Sequence, residues 1–172
     1  MIFNLMGGPL FDTICCLACH VFVGFFYYPK GFRSSCEASC AVSCGLGWER
    51  QGNRCHYLSK YERSWFDAQN FCQRVGGHVA SVTDEQSHNF IKGKDVSAWI
   101  GGLSEPGNET WVWADCSPWS YTRWGSGEPK KWVDKEKCAA YVPHIQNWAA
   151  EPCTSKRRFF CSRAVCSGYI QQ

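Results

Sequence analysis

The stretch from Trp124 to Cys153, WGSGEPKKWVDKEKCAAYVPHIQNWAAEPC, holds the side chains of this sequence best suited to binding chemistry. Glu128 and Glu136 are carboxylates able to hold a cation. Lys130, Lys131, Lys135 and Lys137 stand close to them in sequence and supply donors and positive charge instead of oxygens. Trp132 is a large apolar group among those charges. An aromatic with basic neighbours is a common make-up of a protein-binding hot spot or a sugar-stacking platform. Glu128, Lys130, Lys131, Trp132 and Glu136 therefore form the candidate ligand-binding loop. In the competing reading Trp132 packs down on the loop and the lysines are merely solvated.

Cysteine is the other residue type that carries chemistry. There are 13, ten of them between Cys36 and Cys166. No CxxC pair is followed by a second at zinc spacing, so a metal framework is not expected. The count fits a secreted, extracellular, disulfide-bonded domain. A Cys–His nucleophile pair needs a free thiol beside an imidazole, and commitment of the cysteines to disulfides argues against one. His56, His78, His88 and His144 fall on different elements without metal spacing and read as structural. No glycine-rich phosphate loop follows a strand. The chain reads as non-catalytic, with no cofactor. Asn108-Glu109-Thr110 is a glycosylation sequon, which suits that compartment. A formal charge of +3 without a long basic stripe does not argue for nucleic acid. Lys156-Arg157-Arg158 is a short basic cluster on a turn, where contact with sulfated glycans competes with plain solvation.

The elements that must position these residues follow in order. Ile14 to Tyr28 is an apolar run of 15 residues interrupted by His20. It is short for a membrane span and closer to a signal h-region, so residues 1–35 read as a signal or N-terminal hydrophobic segment. Stable membrane insertion is expected only if 14–28 is retained. Residues 36–43 read as a Cys-rich linker, 44–166 as the folded domain and 167–172 as a tail. Gly52-Asn53 is a turn before a strand at Arg54 to Leu58. Ser64 caps a helix with Asp67 three residues on, and Trp65, Ala68, Cys72 and Val75 keep helical spacing until Gly76-Gly77 ends it. Val79 to Val82 reads as a short strand. A second capped helix opens at Thr83-Asp84-Glu85-Gln86 and stops at Gly93. Strands are expected at Ala98 to Leu103, Trp111 to Trp113, Lys137 to Val142 and Arg158 to Ser162. A strand, two helices and then only strands make the fold α+β.

Gly47-Trp48, RCHY at 54–57, SWFDAQNFC at 64–72, GGHVASV at 76–82, WIGGL at 99–103, WVWAD at 111–115, Glu128-Pro129, WAAEPC at 148–153 and Phe159-Phe160-Cys161 form an ordered series. From Cys44 to Cys161 this series resembles the C-type lectin-like domain in its long form. The resemblance implies a disulfide-stapled α+β fold with two helices, short antiparallel sheets and a long loop. It implies that Cys72 pairs with Cys161, Cys138 with Cys153 and Cys44 with Cys55, and that the tryptophans at 99, 111, 113, 124 and 148 are core. Cys36, Cys40, Cys116 and Cys166 remain. The family's termini lie together, which favours Cys166 with Cys36 or Cys40. Cys116 stands where the family usually has glycine after Trp-x-Asp. It is left to bond within the chain or to a second chain, the latter giving a disulfide-linked dimer.

In lectins of this family, calcium bridges the protein and two sugar hydroxyls. The ligands are a Glu-Pro-Asn triplet, an acid just before a later cysteine, and the Asn-Asp of Trp-Asn-Asp, because calcium takes about 6–8 oxygens. Here Glu128 and Glu136 match, but the Asn position is Lys130 and the Asn-Asp pair is Ala149-Ala150. No metal is expected at the usual sugar site. The resemblance then implies a secreted recognition module for an extracellular glycan or protein. Related domains without the site bind proteins, as in snake-venom haemostatic factors and killer-cell-type receptors. The alternative is an ice- or mineral-adsorbing surface of the type II antifreeze or lithostathine-like kind, against which the lysine-rich loop argues.

Overall fold

The computed structural model describes residues 43–104, 110–130 and 137–165. The first hairpin pairs β1 (Glu49–Gln51) with β2 (Arg54–Leu58) across the Gly52-Asn53 turn. Helix α1 (Trp65–Arg74) starts at Ser64, whose Oγ accepts from the Asp67 amide and donates to its carboxylate. It ends where the amides of Gly76 and Gly77 return to the carbonyls of Gln73 and Cys72. Gly76 sits at φ +79°, a conformation that suits glycine and closes the last turn in a Schellman motif. Helix α2 (Glu85–Lys92) is capped by Asp84 in a reciprocal box with Ser87.

The remaining strands are β3 (His78–Val79), β4 (Ala98–Ser104), β5 (Val112–Trp113), β6 (Lys137–Val142), β7 (Asn147–Pro152) and β8 (Arg158–Ala164). They join β1 and β2 in a sheet of order β1-β2-β8-β4-β6-β7, with β3 on β8 and β5 on β4. The α+β class expected from the sequence is the class observed. The sheet is mixed and not wholly antiparallel, because β4 and β8 run parallel through Ala98–Arg158 and Trp99–Phe159. The strand expected at Val79 to Val82 shortens to His78–Val79. Beyond it the Ala80 amide bonds Phe160 of β8 while its carbonyl accepts from Gly101 of β4, so the backbone splits between two strands and leaves the ladder. That crossing requires glycine at 101, where a Cβ would lie 2.4 Å from the Val79 carbonyl oxygen.

The core is aromatic. Trp65, Trp99, Trp113, Trp148, Tyr141, Phe159 and Phe160 are fully buried. Trp111 is also buried, while Trp124 is half-buried against the same cluster, its ring 4.7 Å from that of Trp111. Among the described residues three disulfides close the fold: Cys44–Cys55 on the hairpin, Cys72–Cys161 between α1 and β8, and Cys138–Cys153 between β6 and the end of β7. They are the three pairs the resemblance implies. Cys36, Cys40 and Cys166 lie outside the described residues, as do Asn108 and the 14–28 segment. Cys116 is exposed at φ +61°, a left-handed conformation that explains why glycine suits this place. Among the described residues no helix is long and apolar enough to cross a membrane.

Candidate functional site

Strand β7 is the last in the sheet order, so the outward N–H and C=O groups of Trp148 and the N–H of Ala150 have no strand to pair with. The loop that begins at Arg123 covers them. The Trp148 amide donates to the Arg123 carbonyl at 2.7 Å, and the Gly125 amide donates to the Trp148 carbonyl at 2.8 Å. One step further, the Ala150 amide donates to Glu128 Oε2 at 3.0 Å. A side-chain carboxylate thus completes the edge where the backbone of the loop has already turned away.

That turn is closed by the Glu128 amide donating to the Gly125 carbonyl. The start of the loop is held from the other side by α2. Arg123 pairs with the Glu85 carboxylate, which also accepts from the Tyr121 hydroxyl at 2.7 Å. Those two donors hold the Glu85 carboxyl below its ordinary value. Tyr121 and Trp124 pack on Trp148, so the loop rests on the aromatic core.

Glu128 Oε2 accepts a second bond, from the Lys130 amide at 3.0 Å, and Oε1 lies 3.5 Å from the Lys130 ammonium. The carboxylate side chain is 8% exposed and the lysine 55% exposed. Glu128 is therefore fully engaged by donors of the protein itself: two amides and one cation. Ala149 and Ala150 offer only methyl groups, both buried. This donor set does not fit calcium, which needs oxygens where the loop has an ammonium and two methyls. Among the described residues no group of three or more His, Cys, Asp or Glu is close enough to hold a metal ion.

Of the candidate loop residues, the structure brings Glu128 and Lys130 together. Lys131, Trp132 and Glu136 lie outside the described residues. Lys137, counted among the loop lysines from its position in sequence, is buried in β6 opposite Pro152 and Ser104 and does not belong to a solvated cluster. What sequence reasoning missed is the part played by the Ala150 amide, since a backbone donor leaves no mark on residue identity.

Of the described histidines, His56, His78 and His88 pack within the fold and His144 is exposed, and not all of the packed ones are satisfied. His78 meets Gln69 at 2.8 Å. His56 is buried 4.8 Å from the Phe90 ring, with neither ring nitrogen hydrogen-bonded. Burial, helped by the charges of Arg54 and Lys94, pushes its pKa down to about 4. His88 is also buried, beside Tyr141 and Trp148, and burial lowers it in the same way.

With this geometry in place, comparison with known proteins is direct. Residues 61–163 match the family model of the lectin C-type domain. The chain is 30% identical over 162 residues to the galactose-specific lectin nattectin of Thalassophryne nattereri, covering 90% of this chain and 96% of that protein. It is 33% identical to the C-type lectin lectoxin-Lio1 of Erythrolamprus poecilogyrus, over 69% of this chain and 78% of that one. The solved structure of a calcium-independent type II antifreeze protein superposes with a TM-score of 0.68 at 27% identity, covering 73% of this chain and 98% of that one.

Proposed function

The chain belongs to the C-type lectin domain family, and on that premise we propose that it is a secreted, non-catalytic recognition module whose long loop binds an extracellular glycan or protein without calcium. The observation that carries this reading is the Lys130 ammonium 3.5 Å from Glu128 Oε1, with both Glu128 amide bonds made inside the chain. A fixed positive charge already stands against the carboxylate that a metal would need. The loop keeps its shape through Ala150 and Lys130, and its ligand meets protein groups directly. Lys130 and Lys131 supply donors and Trp132 an apolar face. The three disulfides suit an oxidising compartment.

Isothermal titration with calcium tests the metal half of the proposal: no heat attributable to this loop is expected, and micromolar binding abolished by Glu128→Gln would overturn it. Screening against immobilised glycans and receptor ectodomains in EDTA tests the ligand half. Retention is expected to survive EDTA and to disappear in Trp132→Ala.

Adsorption to ice or mineral is the second reading, favoured by the likeness to the type II antifreeze structure. It calls for a flat, weakly charged face, whereas Lys130 stands exposed on this loop. No thermal hysteresis is expected at millimolar protein, and a measurable freezing gap would put this reading first.

A further inference from the structure

Away from the long loop, the connection from β2 to α1 runs beside the turn from β7 to β8. Two pairings hold them together. The Ser59 amide donates to the Phe159 carbonyl at 2.9 Å, and Arg63 and Arg157 exchange both backbone bonds at 2.9 and 3.0 Å. Between these pairings three residues, Lys60 to Glu62, face a single residue, Arg158, so the longer side must bulge outward. The bulge is pinned from beneath. Ser59 is buried, its hydroxyl donates to the Tyr61 carbonyl at 2.7 Å, and the same oxygen accepts from the Phe159 amide at 3.0 Å. Half-buried Arg158 adds a further tie, its Nε donating to the Ser59 carbonyl at 2.6 Å.

The result is an aromatic ring presented deliberately to solvent. Tyr61 is 70% exposed, although the backbone on both sides of it is fixed. Cations neighbour it in sequence on both segments, with exposed Lys60 on one and exposed Lys156 and half-buried Arg158 on the other, while the Arg63 guanidinium lies over the Phe71 ring. Arg157 is already used, paired with Glu151 at 2.9 Å and bonded to Ser97. Glu62 is the one carboxylate within the bulge, and nearby Asp67 is tied to the cap of α1.

We infer that this edge is a second binding site, for a sulfated glycosaminoglycan chain, with Tyr61 stacking on a sugar ring and Lys60, Lys156 and Arg158 meeting sulfate groups. Lysine and arginine give charge-assisted hydrogen bonds to such anions, and a half-apolar tyrosine ring suits the carbohydrate between them. The disulfide-bonded compartment makes an extracellular polyanion the partner, which sets nucleic acid aside. The site shares no residue with the long loop.

The test is biosensor binding of the full chain to immobilised heparin in EDTA at about 0.15 M salt, where exposed charges more than about 8 Å apart are screened. Heparin is expected to bind at least about tenfold more tightly than its desulfated form, and to weaken as salt rises. Lys60→Gln with Lys156→Gln should cost about tenfold. Tyr61→Ala should cost several-fold and Tyr61→Phe should not, since the ring and not the hydroxyl does the stacking. Lys130→Gln should leave heparin binding unchanged, which separates this site from the loop. Equal binding of desulfated heparin, or no effect of the double lysine variant in a protein with unchanged thermal unfolding, would overturn the proposal. So would duplex DNA competing as well as heparin at equal charge while Tyr61→Ala is silent.

Discussion

Asp115 and Glu128 are both carboxylates held almost out of solvent, and each is met by three or more donors, yet they do different work. Asp115 gathers its donors from separate parts of the fold: Arg54 of β2 at 2.9 Å, the Ser81 hydroxyl at 2.7 Å and the Ser117 amide at 3.1 Å. Burial works to raise its carboxyl, but the charge of Arg54 and the bonds from Ser81 and Ser117 outweigh it and hold the group below its usual range. Glu128 draws on its own loop and on one strand edge. The first carboxylate welds the scaffold; the second lays a loop on β7. One sheet therefore has a part whose polar contacts are worth global stability and a part whose polar contacts are worth local shape.

The largest expected contrast lies in the covalent links. Replacing Cys72 and Cys161 by alanine opens a sequence separation of 89 residues, against 15 for Cys138 and Cys153. In the chain-entropy model these are about 4.5 and about 3 kcal/mol. Urea unfolding of the two double variants should reproduce that order, and an inverted order would mean that the loop and not the helix–sheet junction limits stability.

Acid should act on the scaffold first. An unfolded histidine titrates near 6.5, and buried His56 titrates at about 4, so between those values the unfolded chain binds the extra proton. Its contribution is fully present above about pH 6.5 and is lost as pH falls toward 4, to a total on the order of 3 kcal/mol. His56→Phe, which keeps a ring against Phe90 and removes the two unbonded nitrogens, should flatten thermal stability between pH 6.5 and 4. A slope unchanged from the parent would move the acid sensitivity to His78 or His88, both lowered by burial.

Asp115→Ala leaves Arg54 without its acid. Breaking a buried pair costs about 3–5 kcal/mol, and the 31% exposure of the arginine side chain discounts this to about 2–3 kcal/mol by urea unfolding. Glu128→Ala should cost about 1 kcal/mol and, more tellingly, speed amide exchange at Ala150, which loses its acceptor. Lys130→Ala, at an exposed pair, should shift stability by less than about 1 kcal/mol. If Lys130→Ala were the costlier of the two, the ammonium and not the carboxylate would be the anchor of the loop.

Much of this was legible beforehand, for physical reasons. Capping residues, helical spacing and glycine stops mark α1 and α2 because each acts within a turn of its own position. The strand β7 was not legible: Asn147–Pro152 is rich in alanine and ends in proline, both poor in strand propensity. It is a strand because Ala149 and Ala150 stand opposite Ala140 and Ala139 of β6, a partnership made by tertiary pairing. At the loop, the mismatch of Lys130 and Ala149-Ala150 with calcium could be read from side-chain chemistry. That Glu128 would take over an edge amide could not. Nor could the Tyr61 bulge, which arises only from the change of register between Ser59–Phe159 and Arg63–Arg157.

The strand order has a consequence for how the protein is made. β8 is the last of the described strands in sequence, yet it lies in the middle of the sheet, between β2 and β4, and also carries β3. While a ribosome is still translating toward Phe159, the first hairpin and the β4-β6-β7 half have no shared partner. Cys72 likewise has no Cys161 to meet. The two halves must wait, each with an open edge, for β8. Closure of this sheet therefore waits on β8, the strand that joins its two halves and carries the cysteine that staples α1 to them.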